Sequence, residues 1–190
     1  MNVSADKLAL LDSKYAGYLE GPLVDDLFRD FGVNFSAGHW AAGEFFDRFC
    51  PVGYNSDNPN FDNGIVAQID RVARAGIAGI EFHEVVFLNP DGSVNQKTID
   101  DVKAALKRTG LIATNMNFNV WTNPKFKYGS ISHPDAGVRK AALEQIHKGV
   151  ELGKELGCGS CNLWPGSDGW DYHFEVDYGK RLRWYIDGNI

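Results

Sequence analysis

One strand–helix–strand unit lies within residues 77–117, which read IAGIEFHEVVFLNPDGSVNQKTIDDVKAALKRTGLIATNMN. The short apolar runs at its two ends, residues 77–82 and 111–117, predict buried β-strands. Residues 89–92, NPDG, have the composition of a turn, and from 96 to 110 apolar residues recur every three or four positions, as on one helical face. The unit therefore predicts a parallel sheet covered by helices.

The same alternation continues on both sides of this unit. The further predicted elements are a strand over 32–37, a helix over 65–75, a helix from Asp135 to Gly157, a strand over 158–164 and a helix over about 175–186. We expect residues 1–30 to form a helical extension and residues 31–190 to form a partial (β/α) barrel. Because a complete TIM barrel takes about 250 residues, the expected fold class is α/β, with about four of eight units and a parallel sheet in an incomplete barrel.

Composition places the chain among folded globular proteins. It has 190 residues, 44% of them hydrophobic and 23% charged, which supports a packed core. Nineteen basic and 25 acidic residues give a formal net charge of −6, so nucleic acid is not an expected partner. No apolar run reaches the roughly 18 residues of a membrane-spanning helix, so a membrane is not expected either.

Cysteine usage indicates a reducing compartment. Cys50, Cys158 and Cys161 leave one thiol unpaired in any disulfide scheme. Residues 1–17 lack the basic stretch followed by a long apolar stretch that marks a secretory signal. We therefore expect a cytoplasmic protein.

Several segments resemble xylose isomerases. The most specific is TNPKFKYG at 122–129, followed by DAGVR at 135–139. NLWPGSDG at 162–169 and GIEFH at 79–83 are similar to two further elements of that family. The resemblance covers the N-terminal half of the family's barrel, over about residues 33–188.

The resemblance implies a reaction and its requirements. Xylose isomerases convert an aldose into a ketose, D-xylose into D-xylulose, by opening the sugar ring and shifting a hydride between adjacent carbons. They use Mg²⁺, or Mn²⁺ or Co²⁺, and assemble as homotetramers. A small aldose, a divalent cation and other copies of the chain are therefore the implied partners.

His83 is the catalytic residue that the resemblance implies. It ends the second predicted strand, at the edge where barrel enzymes carry their catalytic groups, and an imidazole can exchange protons during ring opening. The family places an acidic residue three positions later to orient the ring, where this chain has Val86. Glu84 is the adjacent acid, and the sequence leaves open whether it replaces that partner.

Aromatic residues follow three of the predicted strands. Trp40, Trp121 and Trp164 are expected to surround one cavity and to offer flat apolar surfaces to a sugar. Phe49 matches a residue that, in the family, reaches into a neighbouring subunit's site. The predicted substrate-binding residues are therefore Trp40, Phe49, Trp121 and Trp164.

No metal ligand is predicted in this chain, because the family supplies its carboxylates and histidine from strands five to eight, which are not found here. The first hypothesis is accordingly a truncated xylose isomerase that lacks its metal-binding half. Two alternatives stay open: a non-catalytic sugar-binding or assembly half-barrel, and a related sugar isomerase or epimerase of the same architecture.

Overall fold

The computed structural model of this chain describes residues 4–44, 58–166, 168 and 176–190. Contacts divide the chain into two units, Met1–Phe35 and Ser36–Ile190. No helix in the described ranges is long and apolar enough to cross a membrane.

The first unit is a pair of helices, α1 (Ala5–Lys14) and α2 (Pro22–Phe31). Ser4 caps α1 by accepting a hydrogen bond from the backbone N–H of Lys7. Asp30 of α2 joins the two helices, because its Oδ2 accepts hydrogen bonds from Lys14 Nζ and Tyr15 Oη, each at 2.6 Å. The described part of this unit therefore consists of two helices and their connection.

The second unit is a parallel sheet with alternating helices. Its strands are β1 (Ser36–Gly38), β2 (Gly79–His83), β3 (Ile112–Phe118) and β4 (Ser160–Leu163). Its helices are α3 (Ile65–Arg74), α4 (Gln96–Thr109), α5 (Ala136–Leu156) and α6 (Tyr178–Asp187). The strand order is β1-β2-β3-β4 with every neighbour parallel, which confirms a TIM-barrel-like α/β fold. Within the described ranges the sheet is open, because β1 and β4 each pair with one strand.

Local signals set the helix boundaries. The side chain of Asn95 accepts a hydrogen bond from the backbone N–H of Thr98 and starts α4. Asp135 does the same for α5, accepting from the backbone N–H groups of Gly137 and Val138. The strand predicted at 32–37 is shorter, at Ser36–Gly38, because its partner β2 begins opposite it at Gly79.

The core lies between the sheet and its helices. Ile80, Phe82 and Met116 project from β2 and β3 towards the helices and are fully buried. Helix α5 approaches β3 closely at Gly149, where a Cβ atom would lie 2.6 Å from the Phe118 ring. The opposite face of the strands carries the polar residues that form the site.

Candidate active site

The candidate site lies at the carboxyl ends of the four strands, the edge at which TIM barrels carry their active sites. Trp40 follows β1 in a 3-10 turn, His39–Ala42, and His83 is the last residue of β2. Trp121 and Trp164 come shortly after β3 and β4. Parallel strands thus bring these four side chains to one edge of the sheet.

The structure brings the four together as a continuous row of rings. Trp40 stacks on His83 with ring centroids 4.3 Å apart and an interplanar angle of 23°. Trp121 presents itself edge-on to His83 at 6.4 Å and to Trp164 at 4.9 Å. Phe49 lies outside the described residues. The sugar-binding roles of these aromatics stay predictions.

Two glycines make room for the tryptophan rings. A Cβ atom at Gly38 would lie 2.3 Å from the ring of Trp40. A Cβ atom at Gly166, whose φ of +55° also favours glycine, would lie 2.6 Å from Trp121 Cβ. The backbone therefore approaches both indoles at distances that other residues would not allow.

His83 is buried, with 6% of its surface exposed, and it lies within hydrogen-bonding distance of a second histidine. His83 Nδ1 lies 3.2 Å from Nε2 of His39, and His39 Nδ1 lies 2.9 Å from Oε1 of Gln68. Burial and the adjacent His39 lower the pKa of His83 to about 3. Burial also lowers the pKa of His39. Both imidazoles are therefore neutral at physiological pH.

Sequence reasoning missed His39 and Gln68, although each leaves a signal. His39 directly precedes Trp40 at the end of β1, so it reaches the same edge. Gln68 is a polar residue on the buried face of α3, beside Ile69 and Val72. A buried polar side chain on an apolar helix face needs a hydrogen-bonding partner, which here is the imidazole of His39.

Glu84 does not orient His83. Its Oε2 accepts a hydrogen bond from the backbone N–H of Asn119 at 2.7 Å, and its Oε1 accepts one from Gln145 Nε2 at 2.6 Å. The side chain is fully buried on the helix side of β2, and burial raises its pKa to about 7. Glu84 is therefore not the orienting partner of His83, whereas His39 lies within hydrogen-bonding distance of its Nδ1.

The Glu84 carboxyl group instead anchors the loop that carries Trp121. Asn119, held by Glu84 and Gln145, accepts hydrogen bonds at Oδ1 from the backbone N–H and the hydroxyl of Thr122, at 3.2 and 2.6 Å. Trp121 lies between these two residues and is 4% exposed. A buried carboxyl group therefore sets the position of one wall of the site.

Asp168 connects the loops after β3 and β4. Its Oδ1 accepts hydrogen bonds from the backbone N–H groups of Ser130 and Ser132, both at 3.0 Å, and its Oδ2 accepts one from Ser130 Oγ at 2.6 Å. Asp168, in the segment 162–169, thus contacts the residues that directly follow the segment 122–129. The same two loops carry Trp121 and Trp164, whose ring centroids lie 4.9 Å apart.

A polar row crosses the sheet beside His83, and sequence reasoning did not single it out. Asn117 Nδ2 donates to Glu81 Oε2 at 2.9 Å, and Asn162 Nδ2 donates to Asn117 Oδ1 at 3.2 Å. In β2, Glu81 alternates with the buried Ile80 and Phe82, which was the available signal. Amide and carboxylate oxygens at this edge can form hydrogen bonds with sugar hydroxyls.

Metal-binding geometry is not found within the described part of the chain. No group of three or more His, Cys, Asp or Glu side chains there could hold an ion. Mg²⁺, Mn²⁺ and Co²⁺ need several converging ligands, so the described residues do not fit the cation implied by the resemblance.

Comparison with known proteins identifies relatives among sugar isomerases. A family model described as a xylose isomerase-like TIM barrel matches residues 69–188. A probable sugar isomerase of Mesorhizobium japonicum is 34% identical over 91 residues, which cover 45% of this chain and 21% of that protein. The xylose isomerase of Thermus thermophilus is 33% identical over 104 residues, covering 53% of this chain and 27% of that enzyme. The matches thus span about a quarter of these relatives' lengths.

Solved structures support the architecture. A 3-keto-D-glucoside 4-epimerase from E. coli superposes with a TM-score of 0.50 and 18% identity, over 70% of this chain and 47% of that one. At 18% identity, this likeness shows a shared fold and does not identify the reaction.

Proposed function

The chain belongs to the xylose isomerase-like TIM barrel family, and on that premise we propose that its site catalyses sugar isomerisation, with D-xylose to D-xylulose as the reaction. The observation that carries this proposal is a buried imidazole stacked on an indole at the carboxyl edge of a parallel sheet. That imidazole, His83, also stands at the position that matches the family's catalytic histidine.

His83 has the chemistry for opening the sugar ring. Its imidazole takes the proton of the anomeric hydroxyl while the bond between C1 and the ring oxygen breaks, and C1 becomes a carbonyl carbon. The imidazolium then returns the same proton to the former ring oxygen. Because burial disfavours the charged ring, the imidazolium does not accumulate, and His83 ends the step neutral.

The aromatic residues complete this arrangement. Trp40 stacks on one face of His83 and restricts the motion of its ring. Trp121 and Trp164 supply apolar surface for the C–H face of a sugar. Such surfaces also exclude water, which favours an internal hydride shift over proton exchange with solvent.

The remaining requirements come from the family and are part of the proposal. The family implies a divalent cation and a homo-oligomeric assembly, and no described residue of this chain is assigned to hold the cation. The assay therefore includes Mg²⁺, Mn²⁺ or Co²⁺ in turn and measures whether turnover depends on each cation.

The test is turnover of D-xylose by the purified chain, with chromatography of the products. With a xylose isomerase C-terminal half added to supply the metal ligands, we expect D-xylulose from the wild type and a loss of about 10²- to 10⁴-fold in His83→Gln. The control is His147→Gln, which changes an exposed histidine of α5. Wild-type turnover that persists in His83→Gln would contradict the role of His83.

Other products would identify the alternatives. An epimer in place of D-xylulose would indicate a related epimerase. Saturable sugar binding without turnover, detected by tryptophan fluorescence and weakened in Trp121→Ala, would indicate a binding module.

A further inference from the structure

A chain of hydrogen bonds runs from the backbone of Glu44 to His83. The donor and acceptor atoms of its first bonds determine the direction of every later bond. The backbone N–H of Glu44 donates to Asn63 Oδ1 at 2.8 Å, and Asn63 Nδ2 donates to the carbonyl oxygen of Glu44 at 3.0 Å. A backbone N–H can only donate and a carbonyl oxygen can only accept. These two bonds therefore establish which atom of the Asn63 amide is oxygen.

The amide of Gln68 is fixed in the same way. Its Nε2 lies 2.8 Å from the carbonyl oxygen of Asn63 and 3.1 Å from Asn63 Oδ1, two acceptors that require a donor. The opposite atom, Oε1, then faces His39 Nδ1 at 2.9 Å. A Cβ atom at Gly43 would lie 2.4 Å from Gln68 Nε2 and 2.5 Å from Asn63 Oδ1, so residue 43 leaves room for this amide pair.

The direction of the next bond follows from the tautomer. Because Gln68 Oε1 is an acceptor, His39 carries its proton on Nδ1. The neutral ring then has a lone pair on Nε2, which accepts a hydrogen bond from Nδ1–H of His83 at 3.2 Å. The opposite direction would place two lone pairs 2.9 Å apart, between His39 Nδ1 and Gln68 Oε1.

We infer that Gln68 and His39 fix the tautomer of His83, with the proton on Nδ1 and the lone pair on Nε2, and that His39 is a positioning residue. The catalytic consequence rests on the proposed function: Nε2 is the atom that takes the anomeric proton. His39 is 7% exposed and His83 6% exposed, so little water competes for these bonds. Low pKa values keep both rings neutral and preserve the direction of the chain.

The tautomer can be read directly by nuclear magnetic resonance. Long-range ¹H–¹⁵N correlation of the imidazoles of the full chain at pH 7 distinguishes a protonated from an unprotonated ring nitrogen, and the His39 and His83 variants assign the signals. We expect Nδ1–H in both residues. A wild-type spectrum with the proton on Nε2 of His83 would overturn the inference.

Two substitutions at His39 test its positioning role. In His39→Asn, the shorter amide can still donate to Gln68 Oε1 but does not reach His83. In His39→Gln, the longer side chain brings an amide oxygen close to the former Nε2 position. We expect His39→Asn to give a mixture of His83 tautomers and to lower kcat about 10- to 100-fold with little change in KM. His39→Gln should restore the Nδ1–H tautomer and part of kcat.

The controls separate this inference from the proposed function. His147→Asn makes the same replacement on an exposed surface and should leave both readouts unchanged. A wild-type tautomer and kcat retained in His39→Asn would refute the positioning role. If the wild type turns over no sugar, the spectrum still decides the tautomer. If circular dichroism shows that His39→Asn is unfolded, the wild-type spectrum still tests the tautomer of His83, and His39→Gln tests the positioning role of His39.

Discussion

Replacing Glu84 by glutamine should destabilise the folded chain at acid pH and stabilise it at alkaline pH. The carboxyl group is fully buried, and its pKa is raised from 4.5 to about 7, chiefly by desolvation. A group with a raised pKa in the native state contributes stability that is complete below its unfolded pKa. That stability is lost as the pH rises through the native pKa. Glutamine carries no such proton and lacks this dependence.

The magnitude follows from the two pKa values. At about 1.4 kcal/mol for each tenfold change in proton affinity, a pKa raised from 4.5 to about 7 corresponds to up to about 3 kcal/mol. The glutamine itself has a cost, because one end of its amide would place a donor against Gln145 Nε2, where Glu84 accepts. Losing that hydrogen bond costs about 1 kcal/mol. We therefore expect Glu84→Gln to be less stable than the wild type at pH 4.5 by about 1 kcal/mol and more stable at pH 8 by about 2 kcal/mol.

The assay is urea unfolding followed by circular dichroism at intervals from pH 4.5 to 8. Only the difference between variant and wild type is interpreted, because other carboxyl groups titrate in both proteins. Glu144→Gln, on the exposed face of α5, is the matched control and should show no reversal of sign between pH 4.5 and pH 8. A constant difference for Glu84→Gln would refute the reasoning, since it would mean that Glu84 is ionised to the same extent in the folded and unfolded chain.

Two substitutions of glycine test the close approaches in the fold. Gly38→Ala places a Cβ atom 2.3 Å from the Trp40 ring, so the indole should move away from His83. The near-ultraviolet circular dichroism should then weaken while the far-ultraviolet signal stays intact. An unchanged near-ultraviolet spectrum would contradict this. Gly149→Ala places a Cβ atom 2.6 Å from Phe118 and should destabilise the chain by about 1–3 kcal/mol in urea unfolding. A gain in stability there would show that helix propensity, about 1 kcal/mol in favour of alanine, outweighs the clash.

The sequence predicted the bounds of most strands and helices in the second unit to within a few residues, because the signals that set them are local. The caps at Asn95 and Asp135 are short-range hydrogen bonds, and each helix starts at the residue after its cap. The edge that collects His83 and the tryptophans was also predictable, since parallel strands place their carboxyl ends together. By contrast, the contact between His39 and His83 joins residues 44 positions apart and depends on the rotation of two rings. No local pattern contains that information.

The position of Glu84 shows a rule that the sequence did contain. Successive residues of a strand point to opposite faces. Since Phe82 faces the helices and His83 faces the site, the next residue continues the alternation and returns to the helix side. Its carboxyl group accordingly meets Gln145 of α5. An acid directly after His83 was therefore poorly placed to orient it.

Replacing an acidic partner by a neutral one changes the chemistry of His83 as well as its geometry. A carboxylate beside the imidazole would favour the imidazolium and raise its pKa, whereas His39 and burial lower it. Orientation and proton affinity are thus set by separate features: the bonds from Gln68 through His39 fix the tautomer, and desolvation keeps the ring neutral. His39 can orient the ring without that charge, and this allows His83 to remain a hydrogen-bond acceptor at neutral pH.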